Sequence, residues 1–227
     1  MAFHNNPRIV QNGLVSCLDA NAKRSYPGSG TTWYNLVDTS NTATLAGGVT
    51  HNSAGYFTYD GTDDWSYITS PGSYSDYSFM MFVNVLTSTQ YTSRFFGLNN
   101  YGTYTLYNPS NVGFHFNPDS NTSGSASVTI SSGVNVGFDS WFHVCVTSRK
   151  SNSIYESKVY INGALKTTSG LVPSSTFGGQ INIGAQRTPD SQGPSNCHIG
   201  NFLLYNRVIS DAEVSTIYNT CKSRFGL

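Results

Sequence analysis

The chain has 227 residues, a formal net charge of zero and 11% charged side chains, well below the usual quarter. A zero charge balance argues against nucleic acid as a partner, because phosphate binding needs a basic field, and also against a polybasic membrane contact. The length suits one large domain or two small ones, and the many Ser, Thr, Asn, Gly and Tyr residues favour strands and turns.

Residues 1–12 are predicted to form a polar N-terminal arm, and residues 13–227 a single domain without a linker or internal repeat. The first residues lack the apolar stretch and cleavage site of a secretory signal peptide. The longest strongly apolar run, Phe79–Val83, is too short to span a bilayer. We therefore expect synthesis in a cytoplasm and no membrane insertion. The arm is either an anchor for a partner or a frayed terminus.

A Gly-rich segment, Ser25–Trp33, follows the apolar run Gly13–Ala20 and reads SYPGSGTTW. A phosphate-binding loop would carry lysine after its last glycine and would open a helix. Here the glycines are followed by two threonines, and the next residues are typical of extended chain. The segment is therefore predicted to be a turn started by Pro27–Gly28, after which Trp33 and Leu36 return to the core.

Alternation with a period of two dominates the rest of the chain, and Trp141–Thr147 shows it clearly. Asn162–Gly163, between two alternating arms, predicts a type I′ hairpin, because both central residues must take positive φ. The run Phe79–Leu86 is apolar on both faces, which predicts a central strand covered by the second sheet and by loops. Further strands are predicted at Tyr56–Asp60, Tyr67–Thr69, Arg94–Leu98, Thr103–Tyr107, Val112–Phe116, Ala126–Ile130, Gln180–Gly184 and His198–Asn206.

One helix is predicted, near the C-terminus. Ser210 and Glu213 have the spacing of a capping box, in which each side chain bonds the other residue's amide. Val214, Ile217 and Tyr218 then form one apolar stripe. Many short strands with one terminal helix indicate an all-β sandwich, barrel or jelly roll.

The sequence does not predict an enzyme. A glycosidase needs two carboxylates flanking the scissile bond, and the only glutamates are Glu156 and Glu213. Glu213 belongs to the predicted capping box, and Glu156 has no second acid two or four residues away. The nucleophile-elbow pattern G-x-S-x-G and the zinc pattern H-E-x-x-H do not occur.

The densest acidic cluster, Asp60-Gly-Thr-Asp63-Asp64, is the candidate metal site. Three carboxylates within five residues offer the hard oxygen ligands that Ca²⁺ prefers. The alternative is a turn in which Asp60 and Asp63 accept bonds from backbone amides. The spacing is not that of a helix–loop–helix calcium site. No cofactor is required by the sequence, and Ca²⁺ is possible.

Aromatic side chains in the turn-rich middle of the chain suggest a possible ligand face. Its candidate residues are Tyr101, Tyr104, Tyr107 and His115. Exposed aromatic rings stack on sugars and on protein partners alike. The alternative is that these residues belong to the core or to cross-strand pairs.

The cysteines are predicted to be free thiols, because no signal peptide points to an oxidising compartment. They are Cys17, Cys145, Cys197 and Cys221. Neither of the two Cys/His pairs near Cys145 and Cys197 has the spacing of a structural zinc site.

Several segments taken together resemble a known family. The opening segments are Gly13–Ala20, Ser25–Leu36 and Phe57–Asp64, and the later ones are Trp141–Val144, Val159–Gly163, Ile181–Gly184, Phe202–Arg207, Ile209–Asn219 and Lys222–Leu227. They resemble a concanavalin A-like (laminin G-type) jelly roll. The Ser25–Trp33 loop and the Lys222–Leu227 ending resemble the version found in virion proteins of tailed phages, notably those of cyanobacteria and marine bacteria.

This resemblance implies two packed antiparallel sheets with one short C-terminal helix. It also implies a non-enzymatic virion surface structural protein, either a capsid decoration protein or a tail or tail-fibre protein. Such a protein would act by docking on other virion proteins as a homo-oligomer, at the virion surface. The alternative is a lectin-like adhesin that recognises host surface glycans. Fold alone does not choose between these functions.

Overall fold

The structure is a computed structural model that describes residues 9–69, 71–86, 93–98, 103–108, 113–117, 130–131, 136–151, 154–168, 172–173, 179–185 and 195–227. Two antiparallel sheets pack face to face, and one short helix lies near the C-terminus. The predicted all-β sandwich is confirmed.

The first sheet has nine strands, and its central strand is β7 (Tyr77–Val85). The others, in spatial order, are β14 (Ala164–Thr168), β13 (Ile154–Ile161) and β12 (Trp141–Ser151) on one side of β7, then β17 (Asn196–Tyr205), β5 (Tyr56–Asp60) and β4 (Thr50–Asn52) on the other. β1 (Leu14–Asp19) also pairs with β17, and β15 (Val172–Pro173) with β13.

The second sheet has eight strands. They are, in spatial order, β11 (Ile130–Ser131), β10 (Gly113–Asn117), β9 (Thr103–Asn108), β8 (Ser93–Leu98), β16 (Ile181–Ile183), β6 (Trp65–Ile68), β3 (Ala43–Ala46) and β2 (Thr32–Trp33). Most predicted strands are found within one or two residues of their expected bounds. The exception is Ala126–Ile130, which lies outside the described residues apart from Ile130.

Large apolar side chains from both sheets form the core between them. Phe79 of β7 stacks on Phe96 of β8 with ring centroids 4.0 Å apart, and Trp33 of β2 meets Phe57 of β5 at 4.8 Å. All four side chains are completely buried. Each such side chain contributes about 1.5–3 kcal/mol through its removal from water.

The outer face of β7 is covered as well, because the strand is buried along its whole length. Helix α1 (Asp211–Cys221) and the following 3₁₀ turn, Lys222–Phe225, pack on this face. Phe82 of β7 stacks on Phe225 of the turn at 4.3 Å. The central strand was predicted correctly, but the helix and the 3₁₀ turn cover it here where loops were expected.

The helix begins as predicted. Ser210 Oγ accepts a bond from the Glu213 amide at 3.3 Å, and the Ser210 amide donates to Glu213 Oε2 at 2.8 Å. Arg207 adds two bonds to Glu213 and holds the pKa of that carboxyl down at about 2. Val214 and Ile217 are buried against the sheet. No helix in the described part of the chain is both long and apolar enough to cross a membrane.

Two predicted turns are confirmed. Asn162 and Gly163 have φ of 51° and 74°, as the hairpin between β13 and β14 requires. In the Gly-rich loop, Ser25 Oγ donates to the Tyr34 carbonyl at 2.6 Å and accepts from the Asp19 amide at 3.0 Å. These bonds fasten the loop to β1, and Trp33 reaches the core.

The described end of the N-terminal arm contacts the domain. Ile9 and Val10 pack against the apolar cluster beneath helix α1. Tyr205 Oη donates to the Val10 carbonyl at 3.0 Å, and Arg207 Nε donates to the Asn12 carbonyl at 2.9 Å. Residues 9–12 are therefore held on the surface of the first sheet, next to β1.

Candidate functional site

The ligand face predicted from the sequence lies mostly outside what the structure describes. Tyr101 is not among the described residues, and Tyr104, Tyr107 and His115 are described only through the backbone of β9 and β10. These two strands pair directly, so the three residues fall on neighbouring strands of the second sheet. The prediction that they bind a ligand stays a prediction.

A different set of residues converges on the outer face of the first sheet. Trp141 of β12 lies directly opposite Asn84 of β7, and Asn84 lies directly opposite His198 of β17. His198 in turn lies opposite Thr58 of β5. Four strands thus bring four side chains into one line, about 14 Å long, across the sheet. We call these residues, together with Tyr56, the outer-face row.

Three aromatic rings of the outer-face row lie close together. The Tyr56 ring centroid is 4.5 Å from that of His198 and 5.5 Å from that of Trp141, and the Trp141 and His198 centroids are 6.3 Å apart. All three residues are half-buried. Rings that are partly open to solvent and grouped around a few polar atoms are typical of small-molecule sites.

Asn84 is the most unusual member of the row. Its side chain is 8% exposed, and its buried Oδ1 has no hydrogen-bond partner among the described residues. A buried acceptor without a donor costs about 1–3 kcal/mol, and such atoms are uncommon in native proteins. Asn84 Oδ1 is itself closed to solvent, so a donor from a ligand would reach this unused acceptor only after a neighbouring side chain moves.

His198 is held in place by the neighbouring strand. Its Nδ1 lies 3.1 Å from Thr58 Oγ1, which leaves Nε2 as the ring nitrogen for a ligand. Burial lowers the pKa of this imidazole. The ring is therefore neutral at pH 7, where it can donate or accept a hydrogen bond.

The C-terminal 3₁₀ turn supports the row from one side. Phe225 packs on Trp141 with ring centroids 4.7 Å apart. Arg224 donates to the carbonyls of Gly55 and Gly200, which lie next to Tyr56 and two residues beyond His198. A Cβ at position 200 would overlap the Phe225 ring, so only glycine fits beneath this ring.

The three aspartates of the predicted metal site lie close together at the rim of the sandwich. Asp60, Asp63 and Asp64 bring carboxylate oxygens within 4.8 Å of one another, and the first two residues are exposed. Asp64 is buried and accepts bonds from the amides of Gly48 and Asp60, while Asp60 accepts from Thr62 at 2.7 Å. The amide-binding residues are thus Asp60 and Asp64, not the expected Asp60 and Asp63.

The acidic cluster fits a calcium ion chemically, because its exposed carboxylates are hard oxygen donors. Burial is the main reason why the pKa of Asp64 is raised, even though its two amide bonds oppose that rise. Asp64 therefore serves the turn first, and Asp60 and Asp63 would supply most of the ligand oxygens. Calcium binding at this rim stays a prediction.

A second aromatic pair lies on the outer face of the second sheet. The rings of Trp65 and Tyr67, both half-buried on β6, stack with centroids 4.4 Å apart. Their direct neighbours on β3 are Ala46 and Thr44. This pair has the rings of a sugar platform, but among the described residues none of its direct neighbours has a buried polar atom without a partner, as Asn84 has in the outer-face row.

The glutamates and cysteines, which could in principle serve in catalysis or metal binding, have structural roles or lie outside these clusters. Glu213 is fixed by Arg207 and Ser210, and Glu156 is exposed on β13 opposite Arg149. All four cysteines are free, with Cys17, Cys145 and Cys197 buried. Burial raises the pKa of the Cys17 thiol to about 12, so it is protonated and unreactive at pH 7.

Sequence reasoning missed the outer-face row, although a signal existed. Asn84 and His198 are polar residues inside otherwise apolar strands, and Trp141 alternates with the core residue Phe142. These positions predict an outward face with polar members. Strand register decides which of these residues lie side by side across the sheet, and the register cannot be predicted from any one segment.

Comparison with known proteins is consistent with this architecture. A laminin G-type family model described as the concanavalin A-like lectin/glucanases superfamily matches residues 60–215. A search of curated proteins gave no match. Among solved structures, Trypanosoma rangeli sialidase in complex with sialic acid is similar, with a TM-score of 0.68 and 15% identity over 95% of this chain.

Two neurotoxin structures are similar to this chain to the same degree as the sialidase. The binding domain of botulinum neurotoxin DC in complex with SialylT has a TM-score of 0.67 and 17% identity over 92% of this chain. The binding domain of botulinum neurotoxin serotype D has a TM-score of 0.67 and 14% identity over 91% of this chain. The chain spans 34% of the sialidase and 51% of each neurotoxin domain, so these likenesses show the fold alone. With its family model matched over more than half of its length, the chain belongs to the concanavalin A-like lectin/glucanases superfamily.

Proposed function

We propose that this chain is a non-catalytic carbohydrate-binding domain whose binding site is the outer-face row. The observation that carries the proposal is the unpartnered Oδ1 of Asn84, buried between the rings of Trp141 and His198. A sugar combines apolar C–H faces, which stack on aromatic rings, with hydroxyl groups that donate hydrogen bonds. Such a ligand would satisfy Asn84 and cover the half-buried rings in one step.

The binding mechanism follows from the geometry of the row. Trp141 and Tyr56 offer apolar ring surface, Asn84 accepts a hydrogen bond, and His198 Nε2 donates or accepts another. These groups stand on paired strands, so their backbones are fixed before the ligand arrives, and only side chains have to move to open Asn84 Oδ1. Little conformational entropy is then lost on binding.

Binding without chemistry is the simplest account of the two glutamates, and Asp64, whose pKa is raised, is buried and bonded to the amides of Gly48 and Asp60. Glycoside hydrolysis needs one carboxyl group that is protonated at working pH. Glu213, with its pKa held at about 2 by Arg207, is ionised and committed to the helix cap. Glu156 lies on β13, two strands away from β7.

The experiment is calorimetric titration of the full chain with the strongest ligand found on a glycan array. Trp141→Ala is expected to weaken binding at least tenfold, which corresponds to about 1.4 kcal/mol or more. Trp65→Ala is the matched control, because it removes a half-buried tryptophan from the outer face of the other sheet. Thermal unfolding of both variants separates lost binding from lost folding.

Two outcomes would contradict the proposal. If Trp65→Ala weakens binding and Trp141→Ala does not, the site lies on the second sheet. If the glycans are cleaved during the titration, the domain is an enzyme, and new reducing ends measured in the same samples would reveal this.

A second candidate function is docking on a virion surface, which we propose from the resemblance of the sequence to tailed-phage virion proteins. The structural observation in its favour is β14. Among the described strands it pairs only with β13, and Leu165 on it is 43% exposed. An edge strand with an exposed apolar side chain suits contact with another protein.

The mass of the purified chain in solution tests the docking function. A trimer or larger assembly that Leu165→Lys dissociates is the expected result, because a charge on the edge strand opposes pairing. Lys166→Ala on the same strand is the control. A monomer at every concentration would contradict assembly through β14 and would leave carbohydrate binding as the better function.

A further inference from the structure

His143 lies on the outer face of β12, beneath the C-terminal helix. Its side chain is completely buried, and among the described residues neither ring nitrogen has a hydrogen-bond partner. The ring centroid is 5.0 Å from that of Phe82 on β7 and 5.5 Å from that of Tyr218 on α1. A neutral imidazole fits this apolar position, whereas an imidazolium would place two charged N–H donors there without an acceptor.

The C-terminal cover, as we call residues 211–225, comprises α1 and the 3₁₀ turn. Its side chains Val214 and Ile217 pack with Cys145 of β12 in the apolar cluster on the outer face of the sheet. Phe225 stacks on Phe82, which lies directly opposite His143 in the sheet. The cover therefore lies between this part of the outer face and solvent.

The sheet around His143 carries no charge that could stabilise an imidazolium. On β7 the facing residue is Phe82, and on the β13–β14 hairpin it is Asn162, whose side chain accepts from the His143 amide at 2.9 Å. On β12 itself the next residue on the same face is Cys145. Burial raises the pKa of that thiol, so it is neutral.

The cover adds no carboxylate at this position either. Its acids, Asp211 and Glu213, lie in the first turn of α1, about two turns before Tyr218. The charged groups over its aromatic rings are both cations. Lys222 Nζ lies 5.3 Å from the centre of the Tyr218 ring, and the Arg224 guanidinium lies 4.8 Å from that of Phe225. A proton on His143 would meet like charge and no counter-ion.

The cover is attached by fewer bonds than the strand beneath it. Among the described residues, no main-chain hydrogen bond joins the cover to the sheet. Its polar links are side-chain bonds from Asp211 to Lys158 and Tyr160 and from Arg224 to Asp19. β12, by contrast, pairs with β7 and with β13 over eight residues each. Release of the cover is therefore the easiest way to expose His143 to water.

We propose that the C-terminal cover is released by acid, because protonation of His143 detaches it from the first sheet while the sandwich beneath stays folded. This device is independent of the proposed function. In the closed state an imidazolium lacks both water and a partner. In the open state water solvates both of its N–H groups, so acid favours the open state.

The direction and size of the effect follow from the proton balance. Burial lowers the pKa of His143 from 6.5 to about 3 in the closed state, and release restores its ordinary value. Opening should therefore increase about tenfold for each pH unit below 6.5, or about a hundredfold between pH 7.5 and pH 4.5. Asp211 and Glu213 stay ionised throughout, because the hydrogen bonds from Tyr160 and Arg207 lower the pKa of their carboxyls.

The test is thiol labelling of the full chain with dithiodipyridine, an aromatic disulfide that reacts with cysteine in acid as well as at neutral pH. Cys145 lies under the cover, whereas Cys197 lies in the core between the two sheets. Mass spectrometry of peptides gives the rate at each cysteine. A short unfolded peptide that contains the same cysteine corrects for the intrinsic effect of pH on the reaction.

We expect the corrected rate at Cys145 to rise about a hundredfold between pH 7.5 and pH 4.5. At pH 4.5 it should exceed the corrected rate at Cys197 at least about tenfold, because local release exposes only the first of these thiols.

His143→Phe isolates the imidazole, because it keeps an aromatic ring between Phe82 and Tyr218. The corrected rate at Cys145 should then be nearly the same at both pH values. His51→Gln is the control, since His51 lies on β4, where its Nε2 is 2.9 Å from the Ala20 carbonyl oxygen and its ring packs on Phe57. That variant should keep the pH dependence of the wild type.

Three outcomes would overturn the proposal. Equal corrected rates at Cys145 and Cys197 at pH 4.5 would mean that the whole domain unfolds. A corrected rate at Cys145 that is the same at both pH values would exclude release by acid. A pH dependence that persists unchanged in His143→Phe would assign it to another group. The first two outcomes are read from the wild-type chain, so they hold whether or not the variant folds.

Discussion

Arg224 Nη1 lies 2.6 Å from Asp19 Oδ1, which joins the 3₁₀ turn at the C-terminus to β1 across 205 residues of sequence. The same guanidinium donates to the carbonyls of Gly55 and Gly200. One side chain thus connects the chain's end to the first strand, to the turn before β5 and to the bulged part of β17.

Replacing Arg224 should therefore destabilise the fold more than a typical surface change. Arg224→Ala is expected to lower the free energy of unfolding by about 2–3 kcal/mol, because it removes the ion partner of Asp19 and one donor from each of two carbonyls. Arg224→Lys keeps the charge but not the forked geometry, so it should recover only part of the loss. Urea unfolding measures both, and Arg149→Ala, at an exposed arginine, should change stability by less than about 0.5 kcal/mol.

Asn84→Leu should separate stability from binding. Leucine has a similar shape and no acceptor to satisfy, so the free energy of unfolding should rise by about 1 kcal/mol while glycan binding is lost. Ser16→Ala is the matched control, since Ser16 Oγ is also buried without a partner but lies on β1, away from the row. That variant should keep full binding. If the Asn84→Leu variant binds glycans as the wild type does, Asn84 has no part in recognition.

His143 should make the fold sensitive to acid. Its ring is completely buried, both nitrogens lack partners in the described structure, and it packs against Phe82 and Tyr218 at 5.0 and 5.5 Å. Burial lowers its pKa from 6.5 to about 3. The unfolded chain therefore takes up the proton first, and the stability present above pH 6.5 is lost as the pH falls towards 3.

Between pH 7 and pH 4.5 this group alone should reduce the free energy of unfolding by about 2–3 kcal/mol. His198 has a lowered pKa too and adds to the loss. His143→Phe keeps the ring without the titrating nitrogens, so most of the slope in this window should disappear. Chemical denaturation at several pH values measures this, and an unchanged slope in the variant would assign the acid sensitivity to other groups.

Calcium should stabilise the chain if the acidic cluster binds it. At a concentration ten times the dissociation constant, binding adds about 1.4 kcal/mol, which raises Tm by roughly 3–5 °C in a domain of this size. Asp63→Asn is the informative variant, because Asp63 makes no side-chain hydrogen bond in the described structure and its loss affects only the metal. The variant should fold as the wild type does and lose the calcium response. A wild-type Tm that is the same in calcium and in EDTA would exclude the site.

The sequence alone determined the local features of this protein. Period-two alternation identified most strands, Asn162–Gly163 identified a hairpin, and Ser210 with Glu213 identified the start of the helix. Each of these signals depends on interactions between residues a few positions apart. Such interactions are the same wherever the segment lies in the fold, so they can be read before the fold is known.

Only the tertiary structure decided where a ligand could bind. Thr58, Asn84, Trp141 and His198 form one line because β5, β7, β12 and β17 pair in one particular register. A shift of one residue in any of these pairings would turn that strand's member of the row to the opposite face. The C-terminal helix and 3₁₀ turn then leave this part of the sheet's outer face half-open and cover the rest. Register and coverage are set by packing across the whole chain, and no single segment encodes them.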